Sequence, residues 1–467
     1  MKTKRLQTLM AVVLACGLIF TSASLFAQEN NARVPVGSPV SASSHAPSVP
    51  TGPLQALPQL PRLGGAGVTH SYDGIDFFGS NCGCLPPDTN AAVGNNYVVE
   101  TVNFQIRIFD KTTDAVLLDE PLQTFFGAPT GGDPYVVYDE LANRWYVNAF
   151  DSSDSGLFLA VSHDGNPLDG FTTFHLTNVG GFPDYAKGGY NHDAVFIAYN
   201  NFGGDGRANI ASIDKAQLLA GNLVYFVSVP NFQFRAMPPA RMHGDNTGGT
   251  EWFVSTDGTD TGGTTIRVTK MTNYLSNSPT FTYTSLPVHQ YTSATVADQP
   301  GGSVTTFPNT TTYQVQYHNN RLVTAMASAT ATSGGYPKGL WYEVWVGGGS
   351  PILMQEGLID PGRGVAVQMP SVEVDSVGNF GLTWMESSST EFVSMWVGTV
   401  PAIHFYGQVA GTDVAPGLSF MADNFRIGDY SSTVLDSDGK TFWSANEFVN
   451  ANGGSDIWST HITAFKK

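Results

Sequence analysis

Four aspartates stand in matching settings along this 467-residue chain. Asp88 and Asp184 follow Pro87 and Pro183, Asp133 and Asp429 follow Gly132 and Gly428, and each leads into a short apolar run. Carboxylates drawn from separate segments to one place can do three kinds of chemistry. They can ligate Ca²⁺, a hard cation that takes several oxygens; Asp88 with Asn90 is the best local pair, and Asp151 with Asp154 a second, although neither is a full EF-type loop. They can bind saccharide hydroxyls, with Tyr185, Tyr430 and Trp443 as ring platforms. They can also hydrolyse a glycosidic bond, which needs two flanking carboxyls, chosen among the same acids and Glu447. The competing explanation is architectural: an Asp that accepts backbone N–H bonds in a loop recurs wherever the loop recurs.

Other templates find no support. The chain has no GxSxG elbow, HExxH helix or phosphate-binding Gly-rich loop. Its ten His residues lack metal-ligand spacing. After removal of the leader two cysteines remain, Cys82 and Cys84. They either pair across Gly83 or stay free, and two thiols are too few for a zinc site.

The elements that would position the aspartates come from a repeat. Gly428-Asp429-Tyr430-Ser431-Ser432-Thr433-Val434-Leu435 leads through a turn to Phe442-Trp443. Gly132-Asp133-Pro134-Tyr135 leads the same way to Arg144-Trp145, and Pro87-Asp88-Thr89-Asn90 to Tyr97. Runs at 135–138, 145–150, 157–162 and 171–176 predict four short strands with turn residues between them. Four strands in about 45 residues is the size of one propeller blade. Phase points at Asp88, Asp133, Asp184, Arg241, Thr312, Met369 and Asp429 predict an all-β protein, a β-propeller of seven four-stranded blades. Six or eight blades stay open, because 285–312 has no clean pattern. The sixth unit should end on a strand at 404–408. Asp139, Asp375 and Asp436 should open the turns between first and second strands. The strand at 457–465 should close the ring against the N-terminal part of the fold, where 68–80 is expected as an extra strand or a plug.

In a propeller the innermost strands line an axial channel, and the loops leading into them gather at one mouth. That geometry nominates Asp88, Asp133, Asp184, Arg241, His243, Asp245, Arg426, Asp429 and Tyr430 as ligand-binding residues, with His192 and Asp193 nearby. Asp88 and Asn90 are the metal candidates, for Ca²⁺.

The address is written at the N-terminus. Lys2, Lys4 and Arg5 precede an apolar stretch at 9–20 and a small-residue exit ending at Ala27, so 1–27 reads as a Sec-type signal peptide. A lipoprotein reading through Cys16 would leave too short an apolar core. Residues 28–67, rich in Pro, Ser, Gly and Ala, are expected to be a disordered linker before a single domain at 68–467. Later runs fall short of the ~18 apolar residues of a membrane span. Without the leader the net charge moves from −17 to −20, which argues against nucleic acid and anionic membranes. The expectation is a secreted or periplasmic monomer that binds carbohydrate or protein without catalysis. An extracellular glycoside hydrolase or lyase is the alternative.

Two resemblances bear on this. Pro86-Pro87-Asp88-Thr89-Asn90-Ala91-Ala92-Val93-Gly94, Gly132-Asp133-Pro134, Tyr138-Asp139, Arg144-Trp145, Gly428-Asp429-Tyr430 and Trp443 resemble the pattern of a group of exported, largely uncharacterised bacterial β-propeller proteins. The resemblance covers roughly 80–467 and implies no activity. The stretch Asp436 to Trp443 is similar to the Ser/Thr-x-Asp-x-Gly-x-x-Trp turns of the sialidase superfamily, but Ser437 stands where that pattern has Asp, and Ser162-His163-Asp164-Gly165 lacks one residue. A sialidase would also imply three convergent arginines, for which Arg235, Arg241 and Arg426 are the nominees. Fold likeness of this kind does not carry activity.

Overall fold

Short apolar runs with turn residues between them fold as antiparallel meanders along the chain. The computed structural model describes residues 65–467 apart from 154, 234, 257–260, 308–309, 403–408, 422–425 and 451–456. The expected signal peptide, the linker to residue 64 and the strand expected at 404–408 lie outside the described residues. In the meander that starts with Val365–Val374 the fourth described strand is Gly411–Ala415. Among the described residues the α-helices are two single turns, Leu122–Phe126 and Lys215–Leu219.

Asn90–Val93, Tyr97–Val102, Gln105–Asp110 and Val116–Pro121 form one sheet in chain order; Tyr135–Asp139, Arg144–Phe150, Leu157–Ser162 and Phe171–Leu176 form another. The same order recurs in Phe182–Tyr190, Ala194–Phe202, Ala208–Asp214 and Tyr225–Ser228, and again from Val365–Val374 to Gly411–Ala415. First strands of successive meanders lie side by side. Tyr190 pairs in parallel with Arg241 of Ala240–His243, and that strand pairs in parallel with Val315–His318. Asn90 accepts the Val136 N–H at 2.7 Å, and the Ala91 N–H reaches Ser432 Oγ at 2.9 Å, joining the last first-strand, Ser432–Leu435, to the first. The inner strands thus run one way around an axis and each meander steps outward from it, which is a β-propeller.

Large aromatic residues fill the gaps between neighbouring meanders. Trp145 packs with Ile106, Ile108 and Val136, Trp341 and Trp384 pack together with Val323 and Val367, and Trp443 packs with Ala91, Val93 and Phe109. The expected turns are also present. Asp139 Oδ1 accepts from Leu141 and Ala142 N–H, Asp375 Oδ1 from Val377 and Asn379, and Asp436 from Asp438 N–H and the Trp443 indole. Asn143, Gly378 and Gly439 take the left-handed conformation that closes them.

The stretch expected at 68–80 supplies a strand and not a plug. Gly67–Asp76 pairs antiparallel with Ile457–Lys466 along the outer edge of the last sheet. The irregular stretch at 285–312 also resolves. Thr280–Thr292 is a long outer strand, and a hairpin of Val296–Gln299 and Gly302–Phe307 follows it. The second hairpin strand pairs in parallel with Arg426–Gly428, Thr305 opposite Arg426. A pairing between segments so far apart leaves no local period to read. Cys82 and Cys84 form a disulfide.

Candidate functional site

A backbone kink falls just before or within each inner strand. Asp88, Asp133, Tyr185, Ala236, Thr310, Met369 and Asp429 all have φ between 44° and 67°. Asp tolerates this left-handed region better than most residues because its short side chain bonds locally. Part of the Asp repeat is therefore architectural, and the kink falls on Tyr185 instead of Asp184. Asparagines secure the kinks from the preceding meander: Asn103 Oδ1 accepts the Asp133 N–H at 3.1 Å, and Asn200 Oδ1 the Ala236 N–H at 2.8 Å.

The four side chains nevertheless meet at the mouth where the inner strands begin, the leading mouth. Asp133 Oδ2 accepts the Tyr185 N–H at 2.6 Å, and the Asp133 charge acts on the buried Asp88 carboxyl. Burial, then the charges of Asp133 and Asp429, hold both Asp88 and Asp184 well above the ordinary carboxyl range. Burial also raises Asp429, to about 7, against the pull of Arg426. Arg426 closes on Asp429 with Nε 3.0 Å from Oδ1 and Nη2 on Oδ2. Arg426 is held there by the parallel pairing with the inserted hairpin, a contact that no local motif announces. Asp88 and Asp429 are buried, whereas Asp133 and Asp184 keep partial access to solvent.

Beneath the acids lies a residue that sequence reading missed. Lys187 is 2% exposed, its Nζ has no hydrogen-bond partner among the described residues, and it sits 3.5 Å over the Tyr430 ring, 3.7 Å over Tyr185 and 5.4 Å over Tyr135. Burial pulls its ammonium well below the usual lysine value, while Asp133, Asp429 and Asp88 act to keep the charge. Cation–π contact of this kind is worth more in a desolvated setting. No strand period announces it, because Tyr185 has a φ of 59° and the register shifts between Asp184 and Lys187, so the two side chains meet at an irregularity.

The remaining nominees divide. Tyr430 belongs to the leading mouth, stacked on Tyr185 with ring centroids 5.0 Å apart, but it is 1% exposed. Arg241 lies further along the channel, 5.2 Å over Tyr135, with Nη2 donating to Val136 O at 3.3 Å. His243 does not join the acids, which corrects the expectation. It ends its strand, level with His318 and 3.1 Å from the Tyr190 hydroxyl, so it stands at the opposite, trailing mouth. Asp184 and Tyr190 begin and end the same stretch of strand, and six residues at about 3.3 Å each separate the two mouths. Asp245 follows His243; its Oδ1 accepts from the Thr247 N–H and hydroxyl, and its Oδ2 is buried without a hydrogen-bond partner among the described residues. His192 pairs with Asp193 at 2.8 Å, at the trailing end of the next strand boundary.

Of the metal pair, Asn90 Oδ1 already accepts the Val136 N–H, while Asp88 Oδ1 is buried without a hydrogen-bond partner among the described residues. Among the described residues no group of three or more His, Cys, Asp or Glu is arranged to hold a metal ion. Of the three sialidase-type arginines, Arg426 bonds Asp429, Arg235 lies 5.0 Å over Phe202 and acts with Arg426 on the charge of Asp184, and Arg241 donates to Val136 O further along the channel. Glu447 is fully buried and accepts the Gly428 N–H at 2.7 Å.

At the trailing mouth, burial disfavours a charge on His243, but Glu140 and Glu373 outweigh it and push its pKa up to about 10. His243 lies 3.4 Å from Glu140 and 3.3 Å from Glu373. The Tyr190 hydroxyl donates to Glu140, and the Gly244 N–H donates to its other oxygen at 3.0 Å.

Among the described residues no helix is long and apolar enough to cross a membrane. No family model matches the chain, and no curated protein does. Matching solved structures include Kluyveromyces lactis Hsv2, with 9% identity, 80% of this chain and 97% of that chain covered, and a TM-score of 0.37. Drosophila Plexin A in complex with Semaphorin 1b matches with 7% identity, covering 86% and 87%, at 0.41. A protein of unknown function from Dyadobacter fermentans matches with 8% identity, covering 86% and 100%, at 0.41. These likenesses carry no argument about activity.

Proposed function

We propose that this chain is an exported propeller, which we read as seven-bladed, that binds a protein partner at its leading mouth through a basic side chain. The observation behind the reading is the meeting of Asp88, Asp133, Asp184 and Asp429, with Asp133 and Asp184 partly open to solvent above a buried pair. Exposed Phe78, Val296 and Leu418 sit on the same side. Phe78 follows Phe77, whose N–H bonds Trp458 O, Val296 lies in the hairpin beside Arg426, and the Leu418 N–H bonds Val449 O. Apolar residues around a charged centre suit a protein surface.

A saccharide is the weaker candidate, because the aromatic rings that would stack on it, Tyr185, Tyr430 and Trp443, are all buried. The hydrolase alternative needs carboxyls about 5–9.5 Å apart with a sugar between them, and Glu447, one of its candidates, is enclosed. Calcium stays a proposal of lower rank, checked by melting the protein with and without EDTA; an unchanged melting temperature removes it.

An oligolysine peptide is the probe for the leading mouth. Binding should be salt-sensitive and fall about tenfold or more in Asp133→Asn/Asp184→Asn, with the melting temperature kept, since Asn also accepts the left-handed backbone at 133. Undiminished binding in the variant, or tighter binding of a neutral oligosaccharide than of the peptide, sinks the reading. Sugar release from a glycoside panel would favour the hydrolase instead.

A further inference from the structure

A second site lies at the other end of the channel, independent of the acid cluster. A cavity of about 200 Å³ opens at the trailing mouth between the end of Ala240–His243 and the turn after Ser432–Leu435. It is smaller than the about 300–1,000 Å³ of sites for drug-sized ligands and has room for roughly six to eight heavy atoms at about 30 Å³ per water-sized volume. Val93, Val434, Leu435 and Tyr138 make one side apolar, while Arg241 and His318 line the other.

The charges around this cavity are matched with one exception. His243 faces both Glu140 and Glu373, and Glu140 is further bonded by the Tyr190 hydroxyl and the Gly244 N–H. Arg241 is 2% exposed and has no carboxylate at ion-pair distance among the described residues. Its bond to Val136 O leaves Nε–H buried without a partner. His318 Nδ1 is likewise buried and unpartnered. Unmatched buried donors beside an apolar wall are costly unless something fills the place. An anion answers the guanidinium, and an alkyl group answers Val93, Val434 and Leu435. A second negative charge on the ligand would face Glu140, which favours a monoanion over a phosphate.

We propose that the trailing mouth binds a small monocarboxylate of about six carbons, its carboxylate on Arg241 and its chain against Val93, Val434 and Leu435. Calorimetry on the full chain with hexanoate and hexanamide tests this. Hexanoate should bind saturably, and hexanamide about tenfold or more weakly, since it lacks the charge-assisted bond. Ser437→Trp, at the exposed rim of the cavity, should remove hexanoate binding without lowering the melting temperature. If Arg241→Gln folds, it should bind acid and amide alike. Absence of saturable hexanoate binding to the unaltered protein overturns the proposal, as does equal affinity for the amide or full binding by Ser437→Trp.

Discussion

A chain that begins at Phe77 should lose its cooperative melting transition, or melt more than about 10 °C lower, and should elute as aggregates. The missing strand, Gly67–Asp76, does more than add hydrogen bonds to Ile457–Lys466. Its Ile75 side chain is fully buried, worth about 1.5–3 kcal/mol. The Ile75 N–H is one of two donors to the buried Glu100 carboxylate, at 3.0 Å, the other being the Thr460 hydroxyl at 2.5 Å. Arg107, near the same carboxylate, donates to Gly74 O at 2.8 Å. Loss of the strand strips Glu100 of the Ile75 N–H and Arg107 of the Gly74 carbonyl, and leaves Ile457–Lys466 as an open edge that can pair with another copy. Together this rivals the about 5–15 kcal/mol that holds a whole domain. Gly74→Val is the single-residue version. A Cβ at 74 would run into the Thr460 hydroxyl and the Glu100 carboxylate, so a loss of about 1–3 kcal/mol is expected. Calorimetry with size-exclusion chromatography reads both. A monomeric truncation melting within a few degrees of the full chain would show that the ring closes without this strand.

Glu447→Gln should raise the melting temperature at pH 8.5 by roughly 3–5 °C, equivalent to on the order of 3 kcal/mol for a domain this size, and leave it unchanged or slightly lower at pH 5. Burial is the main reason that Glu447 is raised, to about 8; the Gly428 N–H opposes it and Asp429 adds to it. A carboxyl raised in the folded state gives its full stability below the unfolded value, near 4.3, and loses it as the pH climbs through about 8. Glu100 and Asp429, each raised to about 7 chiefly by burial, have the same sign. So does His243, whose contribution is complete below its unfolded value near 6.5 and fades as the pH rises through about 10. Glu140 works the other way: burial opposes its charge, but His243 and Tyr190 hold it at about 2, so its contribution is lost only in strong acid. The protein should therefore be most stable in mild acid and weaken towards alkaline pH, which a melting series from about pH 4 to pH 9 would show. A curve that rises steadily with pH would mean these carboxyls are ionised in the fold. Gln keeps an acceptor for Gly428 but adds buried N–H donors, which accounts for the small loss expected at pH 5.

Much of the fold was legible because its causes are local. A strand of period two with an Asp-opened turn is complete within some fifteen residues, so the meanders at 90–121 and 135–176 and the turns at Asp139, Asp375 and Asp436 could be read in order. The hairpin at 296–307 could not, since its third strand is Arg426–Gly428 and pairing at that distance has no period.

The site was legible only in outline. That the aspartates before inner strands meet at one mouth follows from a repeat wrapped around an axis, and the repeat is in the sequence. Depth along the axis is not. His243 lies only two residues beyond Arg241, yet strand rise and the parallel register with Val315–His318 put it at the opposite mouth. Lys187 is enclosed by Tyr135, Tyr185 and Tyr430, which come from three different segments that the local sequence does not connect. By itself the sequence determined which residues kink, turn and alternate, because those properties belong to neighbours along the chain. Burial, and with it the charge state of Asp88, Asp184, Asp429, Lys187 and Glu447, was decided by the tertiary structure alone, because desolvation depends on what other segments bring to the same place.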